Sequence, residues 1–393
     1  MITRILIPII LGTVLPYLWI DLHYCRFRLW WRRLLFWLPP LGVIGYTSYL
    51  AWLPNFIPDN PLLIDIWFVA LAFFAVPPFV FSFCSLVGWS CMCLFRGHHN
   101  WGKLLGMFLS IVSFFCFFYG FTRGFRQLEV KHLTVYVPDL PKSFDGYRIV
   151  QFSDIHLGSY YGWRGDLPQR DIDTILSLHP DMICFTGDLQ NVQPSELQPY
   201  KKLLSRLEAK DGVYSVLGNH DYSYYVDADT LTKQAYEREV KSFEREVRWH
   251  LLNHEHAVVC RGKDSIFVAG TENYEKPDHA NIAKALYGIR QGSFVLMLQH
   301  IPKQWRETWP SNINKIHGSK DTVLVAPRLT LSGHTHAGQV SFLGIRPTMF
   351  TPFDYGLYEK EGCQLYTTAG LGGTVPIRLG ATPEIVVITL RCK

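Results

Sequence analysis

Residues 329–339, L-T-L-S-G-H-T-H-A-G-Q, contain the pattern that decides the fold: a short apolar strand that leads through a glycine into two histidines. Gly333 permits a tight turn directly after the strand. His334 and His336 are two residues apart, and in an extended segment such residues point the same way. The stretch therefore predicts a strand whose carboxyl end presents two imidazoles to one shared site.

Four more motifs precede this one, each at the end of a predicted apolar strand. Taken singly, G-D-L is almost uninformative and D-x-H is weak, whereas G-H-T-H-x-G-Q is specific. Because ligands of α/β proteins collect at the carboxyl ends of strands, the five motifs in this order predict one polar site. The four are F-S-D-I-H-L-G with Asp154 and His156, T-G-D-L with Asp188, L-G-N-H-D with Asn219, His220 and Asp221, and L-Q-H-I-P with His300.

The side chains in these motifs predict a site for two metal ions. Carboxylate, carboxamide and imidazole ligands suit Mn²⁺, Fe or Zn²⁺, and the lack of a thiolate in the motifs argues against a structural zinc. Seven ligands are too many for one ion with an open position, whereas Asp188 can bridge two ions. Two ions ~3.5–4 Å apart can hold the attacking and leaving oxygens of a phosphoryl centre. The predicted ligands are Asp154, His156, Asp188, Asn219, His300, His334 and His336.

From residue 147 onward the chain alternates short apolar strands with helical segments, and later consists mostly of strands. This order predicts an α/β (α+β layered) fold with helices around a sheet or a pair of sheets. The predicted strands are Arg148–Ser153, Met182–Thr186, Val213–Leu217, Ile266–Gly270, Phe294–Leu298, Leu329–Ser332, Gln364–Ala369 and Ile385–Leu390. The predicted helices are Ile172–Leu178, Leu197–Leu207, Ala228–Val247 and His279–Leu286.

The first ~125 residues have a lipid-facing composition, poor in Asp and Glu and rich in Phe, Trp and Leu. A helix needs ~20 apolar residues to cross a bilayer, and four stretches reach or approach this length. We therefore predict a membrane anchor of about four helices in residues 1–125 and a globular domain in residues 126–393. The stretches run from Ile5 to Ile20, from Leu34 to Leu53, from Ile64 to Phe95 with a tilt or a break near Pro77 and Pro78, and from Leu104 to Phe121.

Basic residues in the loops between these stretches predict the orientation, because cytoplasmic loops carry an excess of Lys and Arg. The second loop, around Pro54 to Pro61, has neither residue. We therefore expect a multi-pass protein of the cell (inner) membrane with its globular domain on the extracytoplasmic side, although basic residues after the last stretch argue the other way. The basic residues are Arg26, Arg28, Arg32 and Arg33 in loop one, Arg96 and Lys103 in loop three, and Arg123, Arg126 and Lys131 after the last stretch.

Charge and cysteine usage exclude other classes of protein. The net charge of +5 comes from 38 basic and 33 acidic residues, and the excess lies beside the apolar stretches, which is not a nucleic-acid footprint. The nine cysteines form no C-x-x-C pair, so neither a zinc knuckle nor a thioredoxin-like motif is indicated. No ionisable residue lies clearly in the middle of an apolar stretch, which favours an anchor over a transporter.

The expected partners are the lipid bilayer and a phosphorylated small molecule or lipid, and no nucleic acid.

The five motifs resemble the calcineurin-like metallophosphoesterase family, and are most similar to its bacterial membrane-associated branch. The resemblance covers about Tyr147 to Leu390, including the tail Y-G-L-Y-E-K-E-G-C-Q-L-Y-T-T-A-G-L-G-G followed by P-I-R-L-G-A-T-P-E-I. It implies two stacked mixed sheets flanked by helices. The chain departs from the pattern at Glu272 and Asn273, where relatives often have Asp, and at Asn191, where some relatives carry Asp.

The same resemblance implies the role of each site residue. Asp154, His156 and His336 would hold one metal together with Asp188. Asn219, His300 and His334 would hold the second metal, again with Asp188. His220 would stabilise charge on the phosphoryl group or protonate the leaving oxygen, and Asp221 would orient His220.

These expectations lead to a membrane-anchored two-metal phosphoesterase that acts by direct attack of a metal-activated hydroxide. The bond would be a phosphodiester, a pyrophosphate or a phosphomonoester, with an envelope lipid precursor as one candidate substrate, since some members of the branch act on such lipids. Mn²⁺ is the expected ion, with Zn²⁺ or Fe as alternatives. Another interpretation is a catalytically silent domain that binds a phosphorylated ligand, but the intact ligand set and His220 favour the enzyme. Tyr160, Tyr161 and Trp163 fit either a pocket lining or ordinary surface packing.

Overall fold

The fold was obtained as a computed structural model that describes residues 3–26, 28–53, 60, 62–160, 162–226, 228–316, 323–342 and 344–393. The chain divides into two compact units. One consists of Met1–Arg123 with Val375–Ile377, and the other of Gly124–Thr374 with Arg378–Lys393. The first is helical and apolar, and the second is the globular part that carries the motifs.

The apolar unit contains four segments that are long and apolar enough to cross a membrane. They are Leu6–Cys25, Trp30–Trp52, Leu62–Leu94 and Gly102–Gly124. The third segment consists of two helices that are separated at Ala75, just before Pro77 and Pro78, where the sequence predicted a tilt or a break. The helices are α1 Thr3–Ile20, α2 Trp30–Trp52, α3 Leu62–Phe74, α4 Val76–Leu94 and α5 Gly102–Tyr119. Most of the predicted second loop, residues 54–59 and 61, lies outside the described residues.

A buried carboxylate joins α2 to the end of α1. Asp21 follows α1 directly and is 4% exposed. Its oxygens accept hydrogen bonds from Arg33 at 2.8 and 2.6 Å and from the Trp37 indole at 3.3 Å. The ion pair compensates the loss of hydration of a charge in an apolar environment. Arg33, one of the four basic residues of loop one, is therefore paired with Asp21 within the apolar unit.

The globular unit is built on two mixed sheets that pack face to face. The order of strands is β1-β12-β2-β3-β4-β5 in the first sheet and β10-β11-β9-β8-β7-β6 in the second. Strands β2 to β5 are parallel to one another, as are β7, β8, β9 and β11. The strands are β1 Glu129–Val137, β2 Arg148–Phe152, β3 Met182–Phe185, β4 Val213–Ser215, β5 His250–Leu251, β6 Glu255–Arg261, β7 Asp264–Gly270, β8 Val295–Leu298, β9 Leu329–Ser332, β10 Gly356–Lys360, β11 Cys363–Thr367 and β12 Glu384–Cys392.

Three apolar layers hold the two sheets and their helices together. The central layer lies between the sheets and joins Ile149 and Met182 of the first sheet to Val268 and Leu296 of the second. The outer faces are covered by helices, which confirms the predicted sandwich of two sheets flanked by helices. The helices of this unit are α6 Leu167–Ser177, α7 Lys201–Leu204, α8 Thr230–Glu246, α9 Ile282–Leu286 and α10 Pro310–Ile316.

This arrangement places the five motifs at one edge. Strands β2, β3 and β4 run parallel in the first sheet, and β8 and β9 run parallel in the second. Each ends just before a motif, and all residues of β3, β4, β8 and β9 are buried. Gln151 connects the sheets there, because its side-chain amide donates to the carbonyl of Ser332 at 3.0 Å. The carboxyl ends of strands from both sheets therefore meet at one polar site.

Candidate metal centre

The first group of potential ligands lies at the ends of β2, β3 and β9. Asp154, His156, Asp188 and His336 each offer one atom, and these atoms lie within 4.8 Å of one another. The Nε2 atoms of His156 and His336 are 3.2 Å apart, and Nε2 of His336 is 3.4 Å from Oδ1 of Asp154. Nε2 of His156 is 3.6 Å from Oδ2 of Asp188. All four side chains are buried, so water competes little for this space.

The second group lies beside the first and shares Asp188 with it. Asp188, His300 and His334 form this group, with Nε2 of His300 at 3.1 Å from Oδ2 of Asp188. Asn219 completes it, because its Oδ1 lies 3.1 Å from Nε2 of His300 and 2.9 Å from Nδ1 of His334. The structure thus brings all seven predicted ligands together, in two groups that meet at one carboxylate.

The spacing and the chemistry of these atoms fit divalent cations. Ligand atoms bound to one ion at ~2.0–2.2 Å lie about 2.8–3.6 Å from each other, and the distances above fall in this range. In the first group two imidazole nitrogens face each other at 3.2 Å. A cation between such lone pairs makes their approach favourable. His300 also donates from Nδ1 to the carbonyl of Thr186 at 2.7 Å, which leaves its Nε2 as the ligand atom.

The electrostatics of the buried groups favour a bound cation in the same way. Without metal, burial acts to raise the pKa of Asp188, but the charge of His300 lowers it well below its usual value, so this carboxyl is ionised. Burial acts to lower the pKa of His300, but Asp188 raises it to about 9, so Nε2 of His300 is protonated at neutral pH and a bound cation would replace that proton. Burial raises the pKa of Asp154 to about 6. Burial and the charge of His300 lower the pKa of His334 to about 3, so its imidazole is neutral, as a metal ligand must be.

Five of the seven ligands have a left-handed backbone, which the sequence analysis did not predict. The extended geometry expected around residues 334–336 is wrong, because both histidines have positive φ angles. His334 and His336 lie in different groups, as the family resemblance implied. Left-handed conformations of residues other than glycine cost about 1–3 kcal/mol each and cluster at functional sites. Here sharp turns after buried strands bring each side chain round to the centre. The φ angles are 51° for Asp154, 46° for His156, 62° for Asp188, 75° for His334 and 53° for His336.

Two glycines give the ligand loops room to approach each other. Gly187 has φ of 93° and makes a tight turn directly before Asp188. Gly218 has an ordinary φ of −97°, so its conformation does not require glycine. A Cβ at Gly218 would lie 2.2 Å from Oδ1 of Asp188. Gly218 is therefore required for close packing against the shared ligand.

His220 lies beside the first group and is oriented by a backbone carbonyl. Its ring centroid is 4.7 Å from that of His156, at an interplanar angle of 86°. Its Nδ1 is 2.5 Å from the carbonyl oxygen of Asn191, so Nδ1 carries the proton that it donates. The neutral imidazole then has Nε2 free to accept a proton or, once charged, to donate one. Residue 191, where some relatives carry Asp, thus contributes its backbone carbonyl oxygen here.

Asp221 does not have the predicted role of orienting His220. Its buried carboxylate accepts four backbone N–H groups, which leaves the orientation of His220 to Asn191. The carboxylate ties the loop after β3 to the loop after β4, and so fixes Asp188 relative to Asn219. The donors are Gly218 at 2.8 Å, Asp188 and Leu189 at 2.9 Å each, and Gln190 at 3.2 Å.

A buried arginine from the C-terminal tail supports the loop of His336. Arg378 is 1% exposed and donates to backbone carbonyls, among them His336 at 3.1 Å, Gly372 at 2.9 Å and Ala369 at 2.8 Å. Burial lowers the pKa of its guanidinium to about 10, which still leaves it charged at neutral pH. The sequence indicated this residue only as part of the tail P-I-R-L-G-A-T-P-E-I.

Other residues noted in the sequence make structural contacts. Glu272 pairs with Lys241 at 2.5 Å and with His254 at 3.2 Å. Asn273 donates to the carbonyl of Pro277 at 2.9 Å.

The aromatic residues after the first motif differ from one another. Tyr160 is buried and packs its ring 5.9 Å from Phe125, which favours packing over a pocket lining. Trp163 is 52% exposed. Tyr161 lies outside the described residues.

Comparison with known proteins identifies the globular unit. Residues 147–338 match the family described as calcineurin-like phosphoesterase. The chain is 32% identical over 286 residues to the transmembrane protein with metallophosphoesterase domain of Danio rerio, covering 70% of this chain and 60% of that one. It is 29% identical to the uncharacterized metallophosphoesterase YkuE of Bacillus subtilis, covering 70% of this chain and 90% of that one. An uncharacterized metallophosphoesterase of Campylobacter jejuni is 26% identical, and the match covers 84% of this chain and 83% of that protein.

Proposed function

The globular part of this chain is a calcineurin-like metallophosphoesterase domain, and from that premise we propose that the protein hydrolyses phosphoric esters with two divalent metal ions. One observation carries the proposal. Six histidine and aspartate ligands form two groups that share the carboxylate of Asp188, and Asn219 contacts both histidines of the second group. A single ion would leave three or four of these buried polar side chains without a function.

The chain's own residues would hold the two ions on either side of Asp188. Asp154, His156 and His336 complete the first site, and Asn219, His300 and His334 complete the second. Divalent ions bound there supply a Lewis acid for phosphoryl oxygens and lower the pKa of water towards ~7. Mn²⁺ suits this mixture of carboxylate, amide and imidazole ligands, and Zn²⁺ or Fe are the alternatives.

His220 is the residue that would move a proton during hydrolysis. It is not a member of either ligand group, and its Nδ1 is committed to the carbonyl of Asn191. Nε2 is therefore the nitrogen available to a leaving oxygen. General acid catalysis by a positioned imidazole typically contributes ~10²–10⁴-fold to the rate.

The substrate would be a phosphodiester, a pyrophosphate or a phosphomonoester presented at a membrane. Four segments able to cross a bilayer tether the domain, which favours phosphorylated lipids or envelope precursors over freely diffusing metabolites. The basic residues of the first and third loops support an extracytoplasmic domain under the positive-inside rule.

Hydrolysis of two chromogenic esters tests the proposal. The full chain, purified in detergent, is assayed with bis-p-nitrophenyl phosphate and p-nitrophenyl phosphate, with and without Mn²⁺. We expect Mn²⁺-dependent turnover that disappears in Asp188→Asn and persists in Asp173→Asn, the same change at an exposed carboxylate paired with Arg206. Failure of wild-type protein to turn over either ester with two ions bound would favour the ligand-binding alternative. Full activity in Asp188→Asn would refute the role of the shared carboxylate.

A further inference from the structure

A tyrosine that the sequence motifs do not include contacts both a metal ligand and the proposed acid. Tyr225 lies just beyond the L-G-N-H-D motif, past a turn at Ser223 with φ of 50°. Its hydroxyl oxygen accepts a hydrogen bond from Nδ2 of Asn219 at 2.9 Å. Its ring centroid lies 4.8 Å from that of His220, at an interplanar angle of 42°. The residue is 43% exposed and so lies on the open side of the centre.

The hydrogen bond to Asn219 decides which end of that amide faces the metal site. Oδ1 of Asn219 points to the second ligand group, at 2.9 Å from His334 and 3.1 Å from His300. Only the oxygen of a carboxamide can coordinate a cation, because the amide nitrogen has no available lone pair. By accepting from the nitrogen, Tyr225 stabilises the rotamer that turns the oxygen to the metal.

The ring of Tyr225 has a separate effect from its hydroxyl. It packs against His220, whose other restraint is the hydrogen bond to Asn191. A planar neighbour at this distance limits the rotation of the imidazole. Loss of the hydroxyl and loss of the ring should therefore change different properties of the protein.

We propose that Tyr225 is a positioning residue that acts through its hydroxyl on the second metal site and through its ring on His220. This inference rests on the proposed two-metal function. Groups that orient a metal ligand typically contribute 10–100-fold to metal affinity or activity. Tyr225→Phe should therefore weaken the binding of the second ion about 10-fold or more. Tyr225→Leu should weaken the second ion and also lower turnover at saturating metal.

Titration of the metal-free full chain with Mn²⁺ tests the inference without measuring catalysis. Free Mn²⁺ is followed by its electron paramagnetic resonance signal, for wild type, Tyr225→Phe and the control Tyr224→Phe. Tyr224 is similarly exposed and contacts Lys233 and the edge of Tyr225. We expect two ions in each protein, with only Tyr225→Phe weakened at one site. Thermal unfolding in EDTA checks that neither variant disturbs the fold, since each removes a single hydroxyl group.

The outcomes separate this inference from the proposal on which it rests. Binding of fewer than two ions by wild type would refute the two-metal function and the inference together. Binding of two ions by wild type and by Tyr225→Phe with the same affinities would refute the inference alone. A pH–rate profile and KM for Tyr225→Leu that match wild type at saturating Mn²⁺, with unchanged kcat, would refute the role of the ring.

Discussion

Replacement of Asp221 by alanine separates a structural role of this residue from a catalytic one. The carboxylate is fully buried and accepts the N–H groups of Gly218, Asp188, Leu189 and Gln190. Alanine removes the acceptor and leaves four buried donors without a partner. It also releases the loop of Asp188 from the loop of Asn219. We therefore expect Asp221→Ala to lower stability even without metal.

The magnitude follows from the number of donors. A buried donor left without a partner costs about 1–3 kcal/mol, so four donors cost about 4 kcal/mol even at the low end. For a domain of this size, 1 kcal/mol corresponds to about 2–4 °C in Tm. The expected decrease in Tm is therefore about 8–16 °C. Asp229→Ala is the matched control, because Asp229 accepts one backbone N–H, from Thr232 at 2.7 Å, at the beginning of α8. The loss of this one exposed hydrogen bond should lower the Tm much less than the loss of four buried ones.

The assay is thermal unfolding of the detergent-purified full chain in EDTA, followed by near-ultraviolet circular dichroism. EDTA removes any contribution from metal binding to the difference in Tm. A Tm within about 2 °C of wild type, combined with a large loss of turnover, would refute the structural reasoning. It would restore the role for Asp221 that the sequence indicated, namely the orientation of His220.

Three further changes test other parts of the globular unit. His220→Ala should lower turnover ~10²–10⁴-fold and keep wild-type metal content by elemental analysis, since His220 is outside both ligand groups; a loss of metal would contradict this. Gly218→Ala should reduce metal affinity measured by the same titration, because its Cβ would lie 2.2 Å from Oδ1 of Asp188; unchanged affinity would show that the loop adapts. Burial raises the pKa of Asp171 from 3.8 to about 6, so its charged form costs stability above pH 6 and nothing below pH 4. Asp171→Asn should therefore raise the free energy of unfolding of the domain at pH 8, by at most about 3 kcal/mol, and leave it unchanged at pH 4. An equal change at both pH values would refute the raised pKa of Asp171.

The fold could be predicted where strands are buried on both faces. Strands β3, β8 and β9 read as short apolar runs, and each is found within a residue or two of the predicted bounds. Strands β1 and β6 were missed, because their residues are largely half-buried or exposed and show no continuous apolar run. β1 pairs with β12 from the other end of the globular unit, and pairing between distant segments leaves little local signal. β6 forms a hairpin with β7 across Gly262 and Lys263, a local signal that the sequence analysis did not use.

The members of the candidate site could be read from motifs, but not the contacts that orient them. A motif such as G-N-H-D gives the order of side chains, and it does not show whether Asp221 faces an imidazole or a set of backbone N–H groups. The left-handed turns at Asp154 and Asp188 lie where loops pack closely, since a Cβ at Gly333 would lie 2.2 Å from Oδ2 of Asp154 and one at Gly218 would lie 2.2 Å from Oδ1 of Asp188. Arg378 and Tyr225 lie outside the ligand motifs and reach the centre only in the folded chain.

The most direct test of the central claim is the anomalous scattering of Mn²⁺ in crystals of the full chain. The two-metal account predicts two anomalous peaks ~3.5–4 Å apart, both in contact with Asp188. One peak should lie among Asp154, His156 and His336, and the other among Asn219, His300 and His334. A single peak at saturating Mn²⁺, or peaks away from Asp188, would contradict the account.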